Sequence, residues 1–360
     1  MVDRIAVGLD VHARSVVGCG VNEATGEVFE ARLGASPGEV VAWVQHLPGR
    51  ASVAYEAGPT GFGLARVFEA AGVDCVVAAP SKLLPVPGSR VKTDRNDARH
   101  LAELVAAGLV TPVRVPTITE EAARDLVRAR DDARGDAMRA RHRISKLLLR
   151  HGIVWDKGTW TKQHLAWLAG LHFDDPVTQM VFDNDLAAVL DAIRRRDWLD
   201  TQIAELIPGS PWEPVVTALG CLRGVSTLTG FGLAVEIGDW ARFTGSTIGA
   251  FVGLVPCEHS SGGSRCQGGV TKTGNTHARR LLVEAAWQHR SRYEPGHSPH
   301  LNQRWAKASP ALIQRGDQAN RRLHHEWVKF DTRGKKPAVA NAAIARQLAG
   351  FCWSIAMMVS

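Results

Sequence analysis

Four acidic residues have the types and positions needed to hold divalent metal ions at a phosphodiester: Asp10, Glu56, Asp94 and Asp97. Each follows an apolar run or opens a predicted helix. Metal ions at a scissile phosphate need carboxylates that converge from separate elements. Asp94 and Asp97 are three residues apart, so they share one helix face. Taken singly, Asp94 also suits a helix N-cap and Asp10 an ordinary strand end. The combination favours metal-dependent phosphoryl transfer.

A second segment with chemical potential is the Gly/Ser-rich stretch 260–274. It holds three closely spaced serines, Ser260, Ser261 and Ser264, and beside them are the cations Arg265, Lys272, Arg279 and Arg280. Glycines let the backbone come close to a ligand. Cations beside a serine hydroxyl would stabilise its alkoxide and a pentacoordinate phosphate. Composition leaves two interpretations open, a nucleophilic serine or a basic loop that only holds a nucleic-acid backbone.

The elements that must position the four acids read β-β-β-α-β-α-β-α. Apolar runs bounded by turn residues predict strands, and capping residues before amphipathic runs predict helices. The predicted strands are 5–9, 15–21, 28–33, 52–55 and 74–79, and the predicted helices are 36–46, 60–71 and 94–107. Three hairpin-like strands followed by strand–helix alternation are the order of a ribonuclease H-like domain.

The rest of the chain is predicted to be mainly helical. Two long helices, 120–150 and 176–207, joined by a Trp-bearing connector, indicate a coiled-coil arm that is either a spacer or a dimerisation element. Segment 222–238 resembles a helix–hairpin–helix, which would present backbone N–H groups to phosphate. Further predictions are helices at 243–255 and 277–292, a loop at 260–274, and a buried amphipathic helix, not a membrane span, at 338–359.

These patterns predict an α/β plus α fold with three domains, 1–115, 116–210 and 211–360. The 360 residues carry a formal net charge of +7, and segment 262–336 holds 15 Lys and Arg against 5 Asp and Glu. Such asymmetry favours a nucleic-acid-binding C-terminal half. The six cysteines form no C-x-x-C pair, and the N-terminus has no signal pattern, so we expect a reduced, cytoplasmic setting.

Several motifs resemble the insertion-sequence-110 family of DEDD transposases. They are Gly8-Leu-Asp-Val-His12, Glu56-Ala-Gly-Pro-Thr-Gly61, Val91-Lys-Thr-Asp-Arg-Asn-Asp-Ala98 and the Ser-Ser-Gly-Gly to Thr-Lys-Thr-Gly-Asn loop. The Lys-Thr-Asp-x-x-Asp-Ala motif and the serine loop are the most specific of these motifs. The glutamate motif is weaker, because its aromatic residue is Phe62, one residue past Gly61. The resemblance covers nearly the whole chain. It implies a RuvC-like N-terminal domain, a helical arm and a C-terminal transposase domain.

The resemblance also implies a mechanism. Asp10, Glu56, Asp94 and Asp97 match the family's tetrad, which binds Mg²⁺ or Mn²⁺. The family's catalytic serine precedes a glycine and matches Ser261, with Ser260 as the neighbouring alternative. That serine would form a covalent phosphoserine link to DNA, which conserves bond energy for religation. The implied activity is a recombinase that excises and inserts a mobile element.

The implied partners are donor DNA, target DNA and a structured guide (bridge) RNA that pairs with both. The resemblance further implies homodimers that pair into a tetramer, in which the tetrad of one subunit meets the serine of another. It implies a bacterial, nucleoid-associated protein with no membrane partner. Nothing in the composition demands an RNA partner, although basic charge is compatible with one.

Three other functions are compatible with the residues. A RuvC-type structure-selective nuclease would use the tetrad with water and leave the serine loop as a clamp. A nucleic-acid-binding protein would use the acids only structurally. An actin-like phosphotransferase also opens with Gly-Leu-Asp-Val, but the chain lacks a convincing second phosphate loop and has an Asp-x-x-Asp pair instead.

Overall fold

The computed structural model describes residues 3–84, 93–258 and 266–359. The chain forms two compact units, Met1–Thr117 and Ile118–Ser360. The first unit is a mixed α/β structure around one sheet, and the second is mainly helical. Each unit has its own hydrophobic core.

The first unit is built on a five-stranded sheet with strand order β3-β2-β1-β4-β5. Its strands are β1 (Arg4–Val11), β2 (Ser15–Asn22), β3 (Val28–Gly34), β4 (Arg50–Glu56) and β5 (Asp74–Ala78). The first three strands pair antiparallel, whereas β4 pairs parallel to both β1 and β5. All five predicted strands are therefore confirmed, and so is the hairpin order at the start of the chain.

Three helices cover the two faces of this sheet: α1 (Pro37–Gln45), α2 (Gly63–Ala70) and α3 (Asp94–Ala106). Side chains alternate between the faces of a strand. Ile5, Val7 and Leu9 of β1 pack in one core with residues of α1 and α2. The opposite face contacts α3, where Ala98 packs on β2 and Leu101 on β4 and β5.

Gly8 allows α3 to lie directly on the central strand. A Cβ atom at this position would lie 2.1 Å from the carbonyl oxygen of Ala98 and 2.5 Å from the amide nitrogen of Ala102. Since both atoms belong to the helix backbone, no side-chain movement would relieve the clash. A side chain at position 8 would therefore push α3, and the acids at its N-terminus, away from the sheet.

The second unit contains the remaining helices of the described chain. These are α4 (Ile118–Arg150), α5 (Lys162–Ala169), α6 (Pro176–Leu206), α7 (Glu213–Leu219), α8 (Thr227–Ile237), α9 (Ile248–Phe251), α10 (Thr276–Ala286), α11 (Pro299–Trp305), α12 (Pro310–Thr332) and α13 (Pro337–Ala356). A short antiparallel hairpin joins β6 (Pro256–Glu258) and β7 (Gln267–Val270).

The long helices α4 and α6 pack along each other. Small residues of α4, among them Ala133 and Ala137, are buried and permit close approach. Near one end of the pair, residues of α4 and α6 share a hydrophobic cluster with Phe231 of α8. Near the other end, Ile144 and Phe182 pack with Leu168 of α5. Both predicted long helices are confirmed, whereas the sequence did not predict the helix α5 in the connector.

Helix α13 lies in the core of the second unit. Ile344, Leu348 and Cys352 are all fully buried there. This confirms the prediction of a buried amphipathic helix near the end of the chain. In the described part of the chain, no helix is long and apolar enough to span a bilayer.

Three predicted helices are clearly shorter than the sequence indicated. The helix predicted at 60–71 spans Gly63–Ala70. Of 243–255, only Ile248–Phe251 is helical, because the Thr244 and Thr247 side chains bond each other's backbone N–H groups and Gly253 adopts φ +65°. Of 277–292, the α-helix ends at Ala286 and continues as a 3-10 turn.

The predicted loop 260–274 was partly wrong, because Gln267–Val270 forms strand β7 against β6. Two of its four residues are glycines, which have poor strand propensity, so local sequence gave little signal for pairing.

Candidate metal centre and serine loop

Asp10 stands near the end of the central strand β1, opposite Val17 of β2. Strand alternation places its side chain on the same face as Gly8, which is the face that contacts α3. The Asp10 side chain is about one-fifth exposed, at 22%. It therefore lies in a partly desolvated position that a solvent ligand can still reach.

Asp94 and Asp97 lie in the first turn of α3. The Thr93 hydroxyl accepts a hydrogen bond from the Asn96 amide and so caps the helix. Thr93 is therefore the N-cap residue of α3, and the Asp94 carboxylate does not cap the helix. Carboxylates are favoured at a helix N-terminus because unpaired N–H groups carry partial positive charge there. Asp94 also lines an open groove of about 590 Å³ beside β2 and β3.

His12 joins these acids, although the sequence reasoning did not select it. Its Nε2 atom lies 3.1 Å from Oδ2 of Asp10 and 3.7 Å from Oδ1 of Asp94. One ligand atom from each of Asp10, His12 and Asp94 lies within 4.8 Å of the other two. The available signal was its position two residues after Asp10, which puts both side chains on one side of the chain.

The charges of neighbouring residues affect the pKa of the Asp10 carboxyl. Burial raises the pKa of the Asp10 carboxyl above its usual value, the charge and hydrogen bond of His12 lower it, and the charges of Asp94 and Asp97 raise it. A second positive charge beside Asp10 would offset this repulsion. Carboxylate oxygens and an imidazole nitrogen are suitable donors for a divalent cation, so the residues fit a metal ion.

Glu56 is the last residue of β4, the strand that pairs parallel to β1. In this register Leu9 lies beside Tyr55, so Glu56 follows next to the position of Asp10. Its side chain is exposed. The three-residue ligand group contains Asp10 and Asp94 together with His12, and neither Glu56 nor Asp97 belongs to it. The structure thus brings two of the four predicted acids together directly, with Asp97 in the same helical turn as Asp94 and Glu56 on the strand beside β1.

The predicted nucleophile Ser261 lies outside the described residues, as do Ser260, Ser264 and Arg265. Their segment, 259–265, connects β6 to β7 in the sequence.

The other predicted nucleic-acid ligands have different surroundings. Arg279 donates hydrogen bonds to the carbonyl oxygens of Val252 and Thr273. Arg280 forms ion pairs with Asp131 and Glu284. Lys272 is exposed and has a positive φ of 56°.

A fully buried carboxylate, Glu236 of α8, contacts Asn275 and His277, which follow the predicted serine loop in the sequence. The Arg128 guanidinium donates to both of its oxygens, at 3.1 and 3.3 Å. The Asn275 amide donates to Oε2 at 2.7 Å, and Nδ1 of His277 lies 3.2 Å from Oε1. Asn275 also caps α10, since its side chain accepts from the Ala278 amide. Glu236 therefore ties α4 to the residues that follow the serine loop, a role that sequence reasoning missed.

Burial and hydrogen bonding have opposite effects on the pKa of Glu236. Burial alone would raise the pKa of this carboxyl, but the hydrogen bonds from His277, Arg128 and Asn275 outweigh burial and lower its pKa to about 2. The carboxylate is consequently charged at neutral pH inside the unit, and it is fully paired there.

Comparison with known families agrees with this arrangement. A model of IS110-type DEDD transposases, described as a transposase, matches residues 7–153, a span that contains all four acids. A second model, described as the transposase IS116/IS110/IS902 family, matches residues 217–302, a span that contains Ser261.

Individual relatives extend the match along the chain. A Sinorhizobium fredii protein designated transposase y4qE is 40% identical over 304 residues, which cover 84% of this chain and 74% of that protein. The transposase for insertion sequence element IS1533 of Leptospira borgpetersenii is 29% identical over 346 residues, which cover 92% of this chain and 98% of that protein. The transposase for insertion sequence element IS1328 of Yersinia enterocolitica is 25% identical over 299 residues, which cover 81% of this chain and 79% of that protein.

The sheet, its acidic edge and these matches define a transposase of the DEDD class. The chain belongs to the IS110 family of insertion-element transposases, and transposases act on DNA.

Proposed function

We propose that this transposase cuts and rejoins DNA strands through a covalent phosphoserine intermediate, with a metal centre built on Asp10 and Asp94. The observation that carries the proposal is the cluster of Asp10, His12 and Asp94, whose ligand atoms lie within 4.8 Å of one another in the span that matches DEDD transposases. The serine part is supported by the Ser261 loop, which falls within the span that matches the second transposase model.

In the proposed step, the Ser261 hydroxyl oxygen forms a bond to the phosphorus of a DNA phosphodiester. The bond between that phosphorus and a sugar oxygen breaks, the serine loses its proton, and the departing sugar oxygen gains one. The number of phosphoester bonds is unchanged. A sugar hydroxyl of another strand can therefore attack the phosphoserine and restore a phosphodiester without ATP.

Asp10 and Asp94 would hold the divalent ion, with Glu56 and Asp97 completing the tetrad. A divalent ion bound there would neutralise the phosphate and stabilise the charge of the in-line displacement. His12 either donates a nitrogen ligand or fixes the Asp10 carboxylate by its 3.1 Å contact. We propose Mg²⁺ or Mn²⁺, because carboxylates prefer these ions.

The domain boundaries and partners follow from the family resemblance. We propose a RuvC-like domain at 1–115, a coiled-coil arm at 116–210 and a transposase domain at 211–360 with a helix–hairpin–helix-like start. We propose dimers that pair into a tetramer and a structured guide RNA that pairs with donor and target DNA. The formal net charge of +7 and the basic segment 262–336 support a polyanionic partner.

The decisive experiment compares three single variants on element-end DNA. Ser261→Ala should abolish strand exchange and the protein–DNA adduct on denaturing gels, because no hydroxyl remains to attack phosphorus. Ser260→Ala is the matched control and should retain the adduct. Asp10→Asn should bind DNA but not cleave it, and EDTA should have the same effect on the wild type.

Two outcomes would contradict parts of the proposal. Normal cleavage without an adduct in Ser261→Ala would support a RuvC-type nuclease that uses water. Unchanged cleavage in Asp10→Asn would mean that the acids are structural.

A further inference from the structure

The second unit contains a wide cleft lined by positively charged side chains. It has a volume of about 1210 Å³ and lies between the β6–β7 hairpin and helices α9, α12 and α13. Among the residues that the structure describes, no carboxylate lines it, and five cations do: Lys272, Arg315, Arg322, Lys335 and Arg346. We define these five residues as the basic cleft. They come from distant parts of the sequence, and only the fold brings them together.

The cations of the basic cleft lack acidic partners. Within residues 3–84, 93–258 and 266–359, none of the five forms an ion pair. Arg315 bonds the Ser354 hydroxyl and stacks over the Phe351 ring. By contrast, Arg321, which precedes Arg322 in the sequence, forms an ion pair with Asp317. Unpaired positive charge concentrated in one concavity attracts anions and needs one to balance it.

The dimensions of the basic cleft suit an extended ligand. Its volume exceeds the roughly 300–1,000 Å³ typical of small-molecule pockets. Small residues form part of its lining, including Gly249, Ala342 and Gly350. They let a chain-like ligand come close to the helix backbones. A phosphodiester backbone has this shape, and it carries charges at regular intervals that separate cations can match.

The position of the basic cleft relates it to the serine loop. Pro256 of β6 and all four residues of β7 line it. These two strands flank the segment 259–265 in the sequence. A DNA strand held in the cleft would therefore contact the two strands that flank the Ser261 segment in the sequence.

We propose that the basic cleft binds the sugar–phosphate backbone of the DNA strand that is cut. This inference rests on the proposed function and assigns the DNA-holding role to Lys272, Arg315, Arg322, Lys335 and Arg346. Arg279 and Arg280 are less available to DNA, because the Arg279 guanidinium donates to carbonyl oxygens and the Arg280 guanidinium pairs with carboxylates.

The test removes three exposed cleft cations in the full chain: Arg322→Ala, Lys335→Ala and Arg346→Ala. Binding of labelled single-stranded and duplex DNA is measured in EDTA, in the Asp10→Asn background, at several salt concentrations. We expect affinity at 100 mM salt to fall more than about tenfold, and the slope of log K against log salt to become shallower by about 2–3, because each phosphate contact contributes roughly 0.7–0.9.

The matched control is Arg321→Ala, Lys329→Ala and Arg333→Ala. It removes the same charge from the same region, but none of these residues lines the cleft. We expect less than a threefold change and an unchanged slope. Equal losses in the two triple variants would overturn the proposal, since general charge would then explain binding. So would unchanged DNA binding in the cleft variant, or a loss confined to RNA or to an acidic peptide.

The two proposals fail separately. If the cleft variant binds DNA normally while Ser261→Ala abolishes the adduct, the cleft assignment is wrong and the proposed function stands. If the cleft variant loses DNA binding while Ser261→Ala and Asp10→Asn cleave normally, the cleft assignment stands and the proposed mechanism is wrong. Circular dichroism of both triple variants checks that the fold is retained.

Discussion

Single residues set the geometry of the acidic edge, and Gly8 is the most constrained of them. We predict that Gly8→Ala destabilises the first unit by about 2–4 kcal/mol, because the added methyl group would overlap the α3 backbone at Ala98. The same displacement of α3 should lower cleavage strongly. Urea unfolding and a cleavage assay measure the two effects.

Gly63→Ala is the control for Gly8→Ala. A Cβ at Gly63 meets no atom within 4 Å, and alanine favours the helix that starts there. We expect unchanged or slightly higher stability. Normal cleavage by Gly8→Ala would show that the approach of α3 does not set the site.

His12 is predicted to tune the metal requirement. With its Nε2 atom 3.1 Å from Asp10, His12→Ala should raise the metal concentration for half-maximal cleavage about tenfold or more. The increase should be larger for Mn²⁺ than for Mg²⁺ if the imidazole is a direct ligand, since nitrogen donors favour Mn²⁺. Cleavage titrations with each metal measure this, and His46→Ala serves as an exposed histidine control. An unchanged titration would exclude His12 from the centre.

Residue patterns select the four acids as candidates but do not predict their mutual geometry. Asp10 and Asp94 could be selected because an Asp after an apolar run and an Asp at a helix start are local signals. For His12 the only local signal was its position two residues after Asp10, since its contact with Asp94 depends on α3 crossing β1. The role of Glu236 was likewise hidden, because its partners Arg128 and Asn275 lie far away in sequence.

At the scale of elements, capping residues fixed helix boundaries well. Helix α3 was predicted to begin at Asp94 and does so, and α6 begins at Pro176 after the Asp175 cap. Elements held by tertiary contacts were harder to predict. Strand β7 is stabilised by its pairing with β6. Its two glycines have low strand propensity, so the local sequence does not predict this pairing.

The junction of α4, α8 and α10 gives the second unit a specific pH dependence. The pKa of Glu236 is about 2 in the fold against an ordinary value of 4.5. Its contribution to stability is therefore complete above about pH 5 and is lost as pH falls toward 2, because the unfolded chain takes up the proton first. From pH 6 to pH 3 this group alone should remove about 2 kcal/mol.

Glu236→Gln tests this dependence. We expect a loss of about 3 kcal/mol at pH 7, because the Arg128 charge loses its buried partner. The difference between variant and wild type should shrink as pH falls below 5. Urea midpoints across this range measure it. Glu326→Gln removes an exposed i,i+3 pair with Lys329 and should change stability little. A difference that stays constant with pH would contradict the low pKa.

At the scale of the whole molecule, the sequence predicted where charge accumulates but not how it is used. Segment 262–336 is visibly basic. Only the fold shows that Arg280 and Arg321 are neutralised by carboxylates, whereas Arg322 and Lys335 face a common cleft with Arg346 of α13. Which cations form ion pairs and which line the cleft depends on tertiary structure, because it depends on which side chains of different elements contact each other.

We expect the two compact units to have different functions, strand cleavage in the first and DNA binding in the second. The acids lie in Met1–Thr117, and the basic cleft lies in Ile118–Ser360, which has a large core of its own. We predict that residues 118–360, expressed alone, unfold cooperatively and bind DNA with a strong salt dependence, yet cleave no strand, because no tetrad is present. Thermal unfolding followed by circular dichroism, DNA binding at several salt concentrations and a cleavage assay measure these outcomes. An aggregated fragment, or one that folds but binds DNA without salt dependence, would show that the second unit depends on the first for its fold or for its affinity.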